Sequence, residues 1–341
     1  MKKLVKPLKI VAIVLAAVIA VYGAIALFPR FDNFKGENPM RRESELPILI
    51  AHGGGNGEFP DNTLEAFYNA YSVDSRVMME TDVSITKDGV IILSHDTTLD
   101  RKTNVTGAIA DWNYSDLMAQ KVDFGYTNPT DEKDALCGER EHFKDETGTE
   151  KYPTDVTYPE GVTPRDEKVF LATTLEELML AFPENRINVE IKQSGELGLK
   201  AIKEVLRLLD KHDAFGRVVL ASFHEELYDE YVRLQKEKEV PDCFMYSPSY
   251  DATTAFVVMQ ILKVDLFFSD GLCVFQIPME EKGVNLATKS FVRAANRHNM
   301  AVHYWTINDP EEMKTLIEIG ADGIMTDYPH RLKEVYSGYG K

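Results

Sequence analysis

The chain has 341 residues, of which 44% are apolar and 27% charged. With no low-complexity tract, that balance describes a folded protein with an ample core and excludes disordered, collagenous and disulfide-framework architectures. Lys and Arg total 38 against 55 Asp and Glu, and the resulting charge of −17 repels phosphate backbones, so no nucleic-acid partner is expected.

In chain order, Lys2, Lys3, Lys6 and Lys9 precede an uncharged apolar run from Ile10 to Phe28 that Arg30 closes. As a helix rising about 1.5 Å per residue, that run nearly crosses a bilayer core of about 30 Å. Residues 1–9 therefore read as a cytoplasmic tail and 10–28 as a transmembrane anchor, with the bulk of the chain outside the cytoplasm on the side away from the lysines. The alternative is a signal segment cut near Ala24-Ile25-Ala26 and a secreted product. The run continues through Leu27 and Phe28, which favours the anchor. Residues 29–46 are polar and read as a tether. Cys137, Cys243 and Cys273 are too scattered for a disulfide framework or a thiolate metal site.

From Pro47 onward, Val-, Ile- and Phe-rich runs stand at 47–52, 77–85, 90–95, 186–192, 217–223, 243–247, 265–269, 301–307 and 322–326. Most are separated by stretches with apolar residues at helical spacing, and that alternation predicts a parallel sheet. Lys87-Asp88-Gly89 is a tight turn that makes 77–85 and 90–95 an antiparallel hairpin, so the return arm need not be a sheet strand. The remaining runs suit an α/β fold, a (β/α)₈ TIM barrel over 47–335 with the hairpin and a cap at its catalytic face. An open doubly wound sheet is the alternative. Residues 125–168 break the rhythm, being rich in Asp, Glu, Pro and Thr. They read as an insertion, either a substrate cap or a surface loop.

Two-residue periodicity puts Glu80 and Asp82 on one face of a strand, and Glu190 and Lys192 repeat the arrangement. Carboxylates within apolar strands are costly unless paired or metal-bound. Three of them without a thiolate suit a hard cation, Ca²⁺ or Mg²⁺, and salt bridges to barrel lysines and arginines are the other reading. His52 ends the first strand and is followed by Gly53-Gly54-Gly55. Hairpin counting from Asp88 sets Thr86 near Val90, Ser84 near Ile92 and Asp82 near Ser94 to His95, which returns His95 to the level of the carboxylates. Two histidines beside a carboxylate-bound cation form an acid and base pair suited to phosphoester cleavage. Taken singly, each is equally a structural strand-end histidine.

The blocks AHGGGNGEFPDNTLEAFYNAY, METDVSITKDGVIILSHDTTLDR, NVEIK, HYWTIN and GADGIMTDYP stand in that order over about 47–330. Together they resemble the glycerophosphodiester phosphodiesterase family from end to end. The resemblance implies a TIM barrel and metal-dependent hydrolysis of glycerophosphodiesters to an alcohol and sn-glycerol 3-phosphate. It implies His52 and His95 as general acid and base, Glu80, Asp82 and Glu190 as holders of one divalent cation, Lys192 as a phosphate contact, and Trp305 as a wall of the alcohol pocket. Gly53 departs from the family's arginine in the HRG motif, and Asp61 shortens its PENT motif by one methylene. A membrane-tethered lysophospholipase D-like enzyme acting on lysophospholipids is a second reading, and a catalytically weak envelope-associated binding protein a third, which the intact set of site residues argues against. The cap carries about twice as many acidic as basic residues, so headgroups such as choline or ethanolamine should be favoured over anionic ones.

Overall fold

The computed structural model describes residues 2–127 and 140–339. Of the predicted insertion, residues 128–139 lie outside that range. Helix α1 (Lys2–Leu27) leads into β1 (Ile48–Ala51), α2 (Leu64–Val73), the hairpin β2 (Met78–Ile85) and β3 (Ile91–Leu93), and α3 (Tyr114–Ala119). A two-residue ladder joins β4 (Tyr126–Thr127) to β5 (Glu141–His142) within the insertion. There follow α4 (Leu175–Ala181), β6 (Ile187–Ile191), α5 (Gly195–Lys211), β7 (Val218–Ala221), α6 (Glu225–Glu237), β8 (Met245–Tyr246) and α7 (Tyr250–Ile261). The chain continues through β9 (Val274–Ile277), the small pair β10 (Glu280–Glu281) and β11 (Val284–Asn285), and α8 (Lys289–Asn296). It closes with β12 (Ala301–Tyr304), α9 (Pro310–Ile319), β13 (Gly323–Thr326) and α10 (Pro329–Ser337).

Parallel strands run in the order β8-β7-β6-β2-β1-β13-β12-β9, and β3 hangs antiparallel on β2. The two ends of this sheet curl together, where the Cys273 amide donates to the Tyr246 carbonyl at 3.3 Å, giving a nearly closed eight-stranded barrel. This is the TIM-barrel architecture and not the open doubly wound sheet. The hairpin register pairs Ser84 with Ile92, and the Ser94 amide donates to the Asp82 carbonyl at 2.9 Å, as counting from Asp88 predicts. Outward-facing residues such as Met79, Val83, Val189 and Leu220 pack under the helices, while Ile50, Met78, Val219, Met245, Val274 and Met325 fill the barrel interior.

One strand expectation is corrected. Residues 265–269 are not a strand: Asp265–Phe267 form a single 3₁₀ turn, and the barrel strand is β9, a few residues later. In that turn Asp265 is buried and binds Arg30, Arg297 and His298.

The predicted tether is not loose either. Phe34, Asn38 and Met40 are buried against the N-terminal ends of the strands. Asn38 Nδ2 donates at 2.7 Å to the carbonyls of Cys273 and Asn299, and His303 Nε2 lies 2.7 Å from the Met40 carbonyl. Arg30 makes a two-pronged contact with Asp265, Nε to Oδ2 at 2.8 Å and Nη2 to Oδ1 at 2.9 Å, and neither side chain is exposed. Nη1 of Arg30 also donates to the Ile25 carbonyl at 3.1 Å, tying off the end of α1. Removing one partner of a buried pair strands the other charge. Asp265→Ala should therefore destabilise the fold by about 3 kcal/mol in urea titration while leaving turnover per folded molecule unchanged; an unshifted urea midpoint would show the pair to be idle.

Candidate active site

Side-chain parity assembles the site. On β2 the inward positions are Met78, Glu80 and Asp82; on β6 they are Asn188 and Glu190; one more step past β6, β1, β12 and β13 brings in Lys192, His52, Trp305 and Asp327. The strand register then fixes neighbours. Glu80 lies opposite Asn188, Asp82 opposite Glu190, Ile50 opposite Met78, and Ala51 opposite Thr326. His52 consequently faces Asp327, and Glu80 lies beside the turn that follows His52. All of them sit at the C-terminal ends of the strands, where TIM-barrel sites are built.

One oxygen each from Glu80, Asp82 and Glu190 lie within 4.8 Å of one another, a spacing that a single divalent cation can span. Glu80 Oε2 accepts the Gly53 amide at 2.7 Å. Asn62 grips Asp82 from both ends, its Nδ2 donating to Oδ2 at 3.0 Å and its Oδ1 accepting the Asp82 amide at 3.0 Å. Lys192 Nζ lies 2.9 Å from Asp82 Oδ1 and 2.7 Å from Glu190 Oε1. The salt-bridge reading and the cation reading thus meet in one cluster, since one ammonium balances only part of three carboxylates. Burial and the Asp82 charge push Glu80 up to about 8, against the opposing pull of His52 and the Gly53 amide. Burial also raises Glu190, in spite of Lys192. The buried Asn188 Oδ1, opposite Glu80 in register, has no hydrogen-bond partner. An excess of buried, mutually repelling oxygens is the donor set of a hard-cation site, and the residues present fit one.

His52 Nδ1 lies 2.6 Å from Asp327 Oδ1. Burial alone would lower its pKa, but the hydrogen bond to Asp327 and the charges of Glu80, Asp327 and Asp82 outweigh it and hold the imidazole at about 10. Asp327 is itself fixed by Asn308, whose Nδ2 donates to Oδ2 at 2.7 Å. His95, more exposed, has Nδ1 3.1 Å from Asp96 Oδ1 and 3.2 Å from Arg101 Nη2. Trp305 stands edge-on to Phe223 with ring centroids 6.0 Å apart, and Lys192 Nζ is 5.9 Å from the Phe223 centroid, so an aromatic wall borders the cationic end of the cluster.

Glu80, Asp82, Glu190 and Lys192 share one network with His52 beside it, while the contacts of His95 are to Asp96 and Arg101 and those of Trp305 to Phe223. Sequence reasoning passed over Asp327, Asn62, Asn308 and Phe223. Asp327 carried a readable signal, because Gly323, Met325 and Asp327 continue one inward face of β13. Near Gly53, Asp61 Oδ1 binds Lys102 Nζ at 2.7 Å. Burial raises Asp61, but Lys102 outweighs it and draws the group down to about 2. The described part of the insertion stands beside the loop carrying Asp327, where Glu146 pairs with Arg331 at the start of α10.

Residues 52–331 match the family described as the glycerophosphoryl diester phosphodiesterase family. A Mycobacterium tuberculosis protein named probable glycerophosphodiester phosphodiesterase 2 is 25% identical over 299 residues, covering 86% of this chain and 92% of the relative. The mouse protein named lysophospholipase D GDPD1 is 25% identical over 330 residues, covering 88% and 89%. Among solved structures, an Oleispira antarctica phosphodiesterase in complex with the product sn-glycerol-3-phosphate superposes with a TM-score of 0.57 at 19% identity, covering 86% of this chain and 97% of that one.

Proposed function

The chain belongs to the glycerophosphoryl diester phosphodiesterase family and is a phosphoric diester hydrolase, and from that premise we propose that it cleaves glycerophosphodiesters to an alcohol and sn-glycerol 3-phosphate with one divalent cation, Ca²⁺ or Mg²⁺. The observation that carries this reading is the three-carboxylate cluster flanked by the Asp327-bound His52 on one side and His95 on the other. Glu80, Asp82 and Glu190 would hold the cation, which when bound supplies positive charge against the phosphate oxygens.

The remaining work falls to side chains of this chain. With Asp327 accepting the Nδ1 proton of His52, the protonated imidazole keeps a second proton on Nε2, and His52 is the general acid. In the tautomer with the proton on Nδ1, His95 donates to Asp96, Arg101 donates to Asp96 rather than to the ring, and Nε2 is free as the general base. A water oxygen bonds to phosphorus as His95 takes its proton. The phosphorus–oxygen bond to the alcohol breaks as His52 protonates the departing oxygen. Lys192 spends two contacts on Asp82 and Glu190, and its third N–H remains for the phosphate. Trp305 and Phe223 receive the alcohol portion. The N-terminal helix, with 19 apolar-rich residues from Lys9 to Leu27, would anchor the catalytic domain to the outer face of a membrane; the same helix also suits a cleaved signal segment. A lysophospholipid substrate is the second reading, favoured by the name of the mouse relative.

A panel of glycerophosphocholine, glycerophosphoethanolamine, glycerophosphoinositol and lysophosphatidylcholine, each run with and without chelator, tests the proposal. Release of sn-glycerol 3-phosphate that stops with chelator supports it. Absence of cleavage across the metal-supplemented panel, or full activity after exhaustive chelation, overturns it. Higher kcat/KM for the choline and ethanolamine diesters than for the inositol diester would agree with an acidic cap.

The place of the family arginine is closed as well as vacant. Gly53 has φ +56°, and a Cβ there would stand 2.9 Å from the Asp61 Cβ. Gly53→Arg should therefore cost about 1–3 kcal/mol of stability without improving kcat/KM, read by urea titration and diester kinetics. A stable and faster variant would show that the site merely lost a donor.

A further inference from the structure

The wall of the barrel nearest α1 is unlike the rest of the surface. In the second half of α7 and the turn after it, Val258 is 49% exposed, Ile261 59%, Leu262 54% and Phe267 63%. Four large apolar side chains exposed together are unusual for a surface facing water. They adjoin the end of α1: Tyr22 Oη donates to the Leu262 carbonyl at 2.7 Å, and Arg30 binds Asp265 two residues before Phe267. Leu27, Phe28 and Phe31, at the exit of α1, are also exposed.

The border of this patch is basic in a chain whose net charge is −17. Lys289 and Arg293 on α8 and Arg297 at its C-terminal cap recur every four residues and are all exposed. Lys263 joins them through Ser290 Oγ, 3.2 Å from its Nζ, and Arg297 reaches Asp265 Oδ2 at 3.3 Å. An apolar centre with a cationic rim is the composition of a surface that rests in a lipid headgroup layer.

We propose that this face, made by the second half of α7, Phe267 and the basic row of α8, lies in the headgroup layer of the same bilayer that α1 enters, with anionic phospholipid as its partner. The proposal rests on the anchor reading of α1 and adds to it a fixed docking of the barrel. The buried Arg30–Asp265 pair and the burial of Phe34, Asn38 and Met40 leave the barrel little freedom to swing away from the end of α1.

The test uses the full chain carrying Cys137→Ser and Cys243→Ser, reconstituted in vesicles of phosphatidylcholine alone or mixed with phosphatidylglycerol. An environment-sensitive fluorophore is attached through Phe267→Cys or Ile261→Cys, and for comparison through Leu180→Cys on the far wall, also exposed. A nitroxide placed high on the lipid acyl chain should quench the labels at 267 and 261 roughly twofold or more, with a blue shift, and leave the label at 180 unaffected. Lys289→Glu combined with Arg293→Glu should weaken quenching in the phosphatidylglycerol vesicles. A chain that resists carbonate extraction but shows no quenching at 267 and 261 overturns the docked face while the anchor stands. Extraction by carbonate overturns both. Shielding of the labels that follows protein concentration in the absence of lipid would identify a second copy of the chain as the occupant and also overturn the proposal.

Discussion

Glu80→Gln is expected to reduce kcat/KM by about 10³-fold at a metal concentration that just saturates the wild type, because a bound cation is worth several kcal/mol of transition-state charge and each 1.36 kcal/mol is tenfold in rate. Asp82→Asn and Glu190→Gln should fall in the same range, with a weaker metal dissociation constant by titration calorimetry. The same substitution should act in the opposite direction on stability. In the metal-free protein, Glu80 rises from its ordinary carboxylate value to about 8, through burial and the Asp82 charge. A carboxyl raised in the folded state binds its proton more tightly there than in the unfolded chain. Its contribution to stability is therefore lost as pH climbs from the unfolded value to about 8. In chelator at pH 8, Glu80→Gln should melt at a higher temperature than the wild type, and the gap should close toward pH 4. A variant that is both inactive and less stable in chelator would mean that the cluster is a structural salt-bridge network.

His52→Gln should lower kcat by about 10²–10⁴-fold with the fold intact, and His95→Gln by a similar factor. Asp327→Asn separates orientation from chemistry. It leaves the imidazole in place but removes the acceptor that fixes its tautomer and much of the charge that holds its proton. With a cation offsetting Glu80 and Asp82, Asp327 is the main group keeping His52 protonated, so the alkaline limb of the kcat profile should lie between the ordinary histidine value and about 10. Asp327→Asn should move that limb to lower pH as well as lowering kcat. An unmoved limb would remove His52 from the role of general acid.

Period-two arithmetic carries far along this chain because barrel strands have an inside and an outside. Glu80, Asp82, Glu190 and Lys192 could be placed from spacing, and the Lys87-Asp88-Gly89 turn carried His95 to their level. The same arithmetic reaches Asp327, whose place opposite His52 depends on β13 lying beside β1, a pairing between strands about 275 residues apart in sequence. What spacing does not encode is long-range pairing of polar groups. Asp265 sits in an apolar run that reads as a strand, yet it is buried in a turn where its partners are Arg30, 235 residues away, and Arg297 and His298. The segment 29–46 reads as solvated because its composition is polar; its order comes from a few residues, Phe34, Asn38 and Met40, that plug the barrel's lower end. The match of Gly53 to Asp61 is likewise a contact in space, invisible in the sequence.

The attachment of α1 through Arg30, Asp265 and the buried Phe34, Asn38 and Met40 lies at the N-terminal ends of the strands, whereas the carboxylates and histidines lie at the C-terminal ends. At about 3.3 Å per residue along strands tilted by about 36°, the steps from Asn299 to Trp305 separate the two levels by about 15 Å. With α1 inserted, the attachment end of the barrel meets the leaflet and the reaction centre opens at the other end. A lysophospholipid would have to leave the leaflet, acyl chain included, to reach it, whereas a deacylated diester arrives from the water. Turnover should then follow the bulk concentration of substrate, without the surface-dilution behaviour of an enzyme that scoots along an interface.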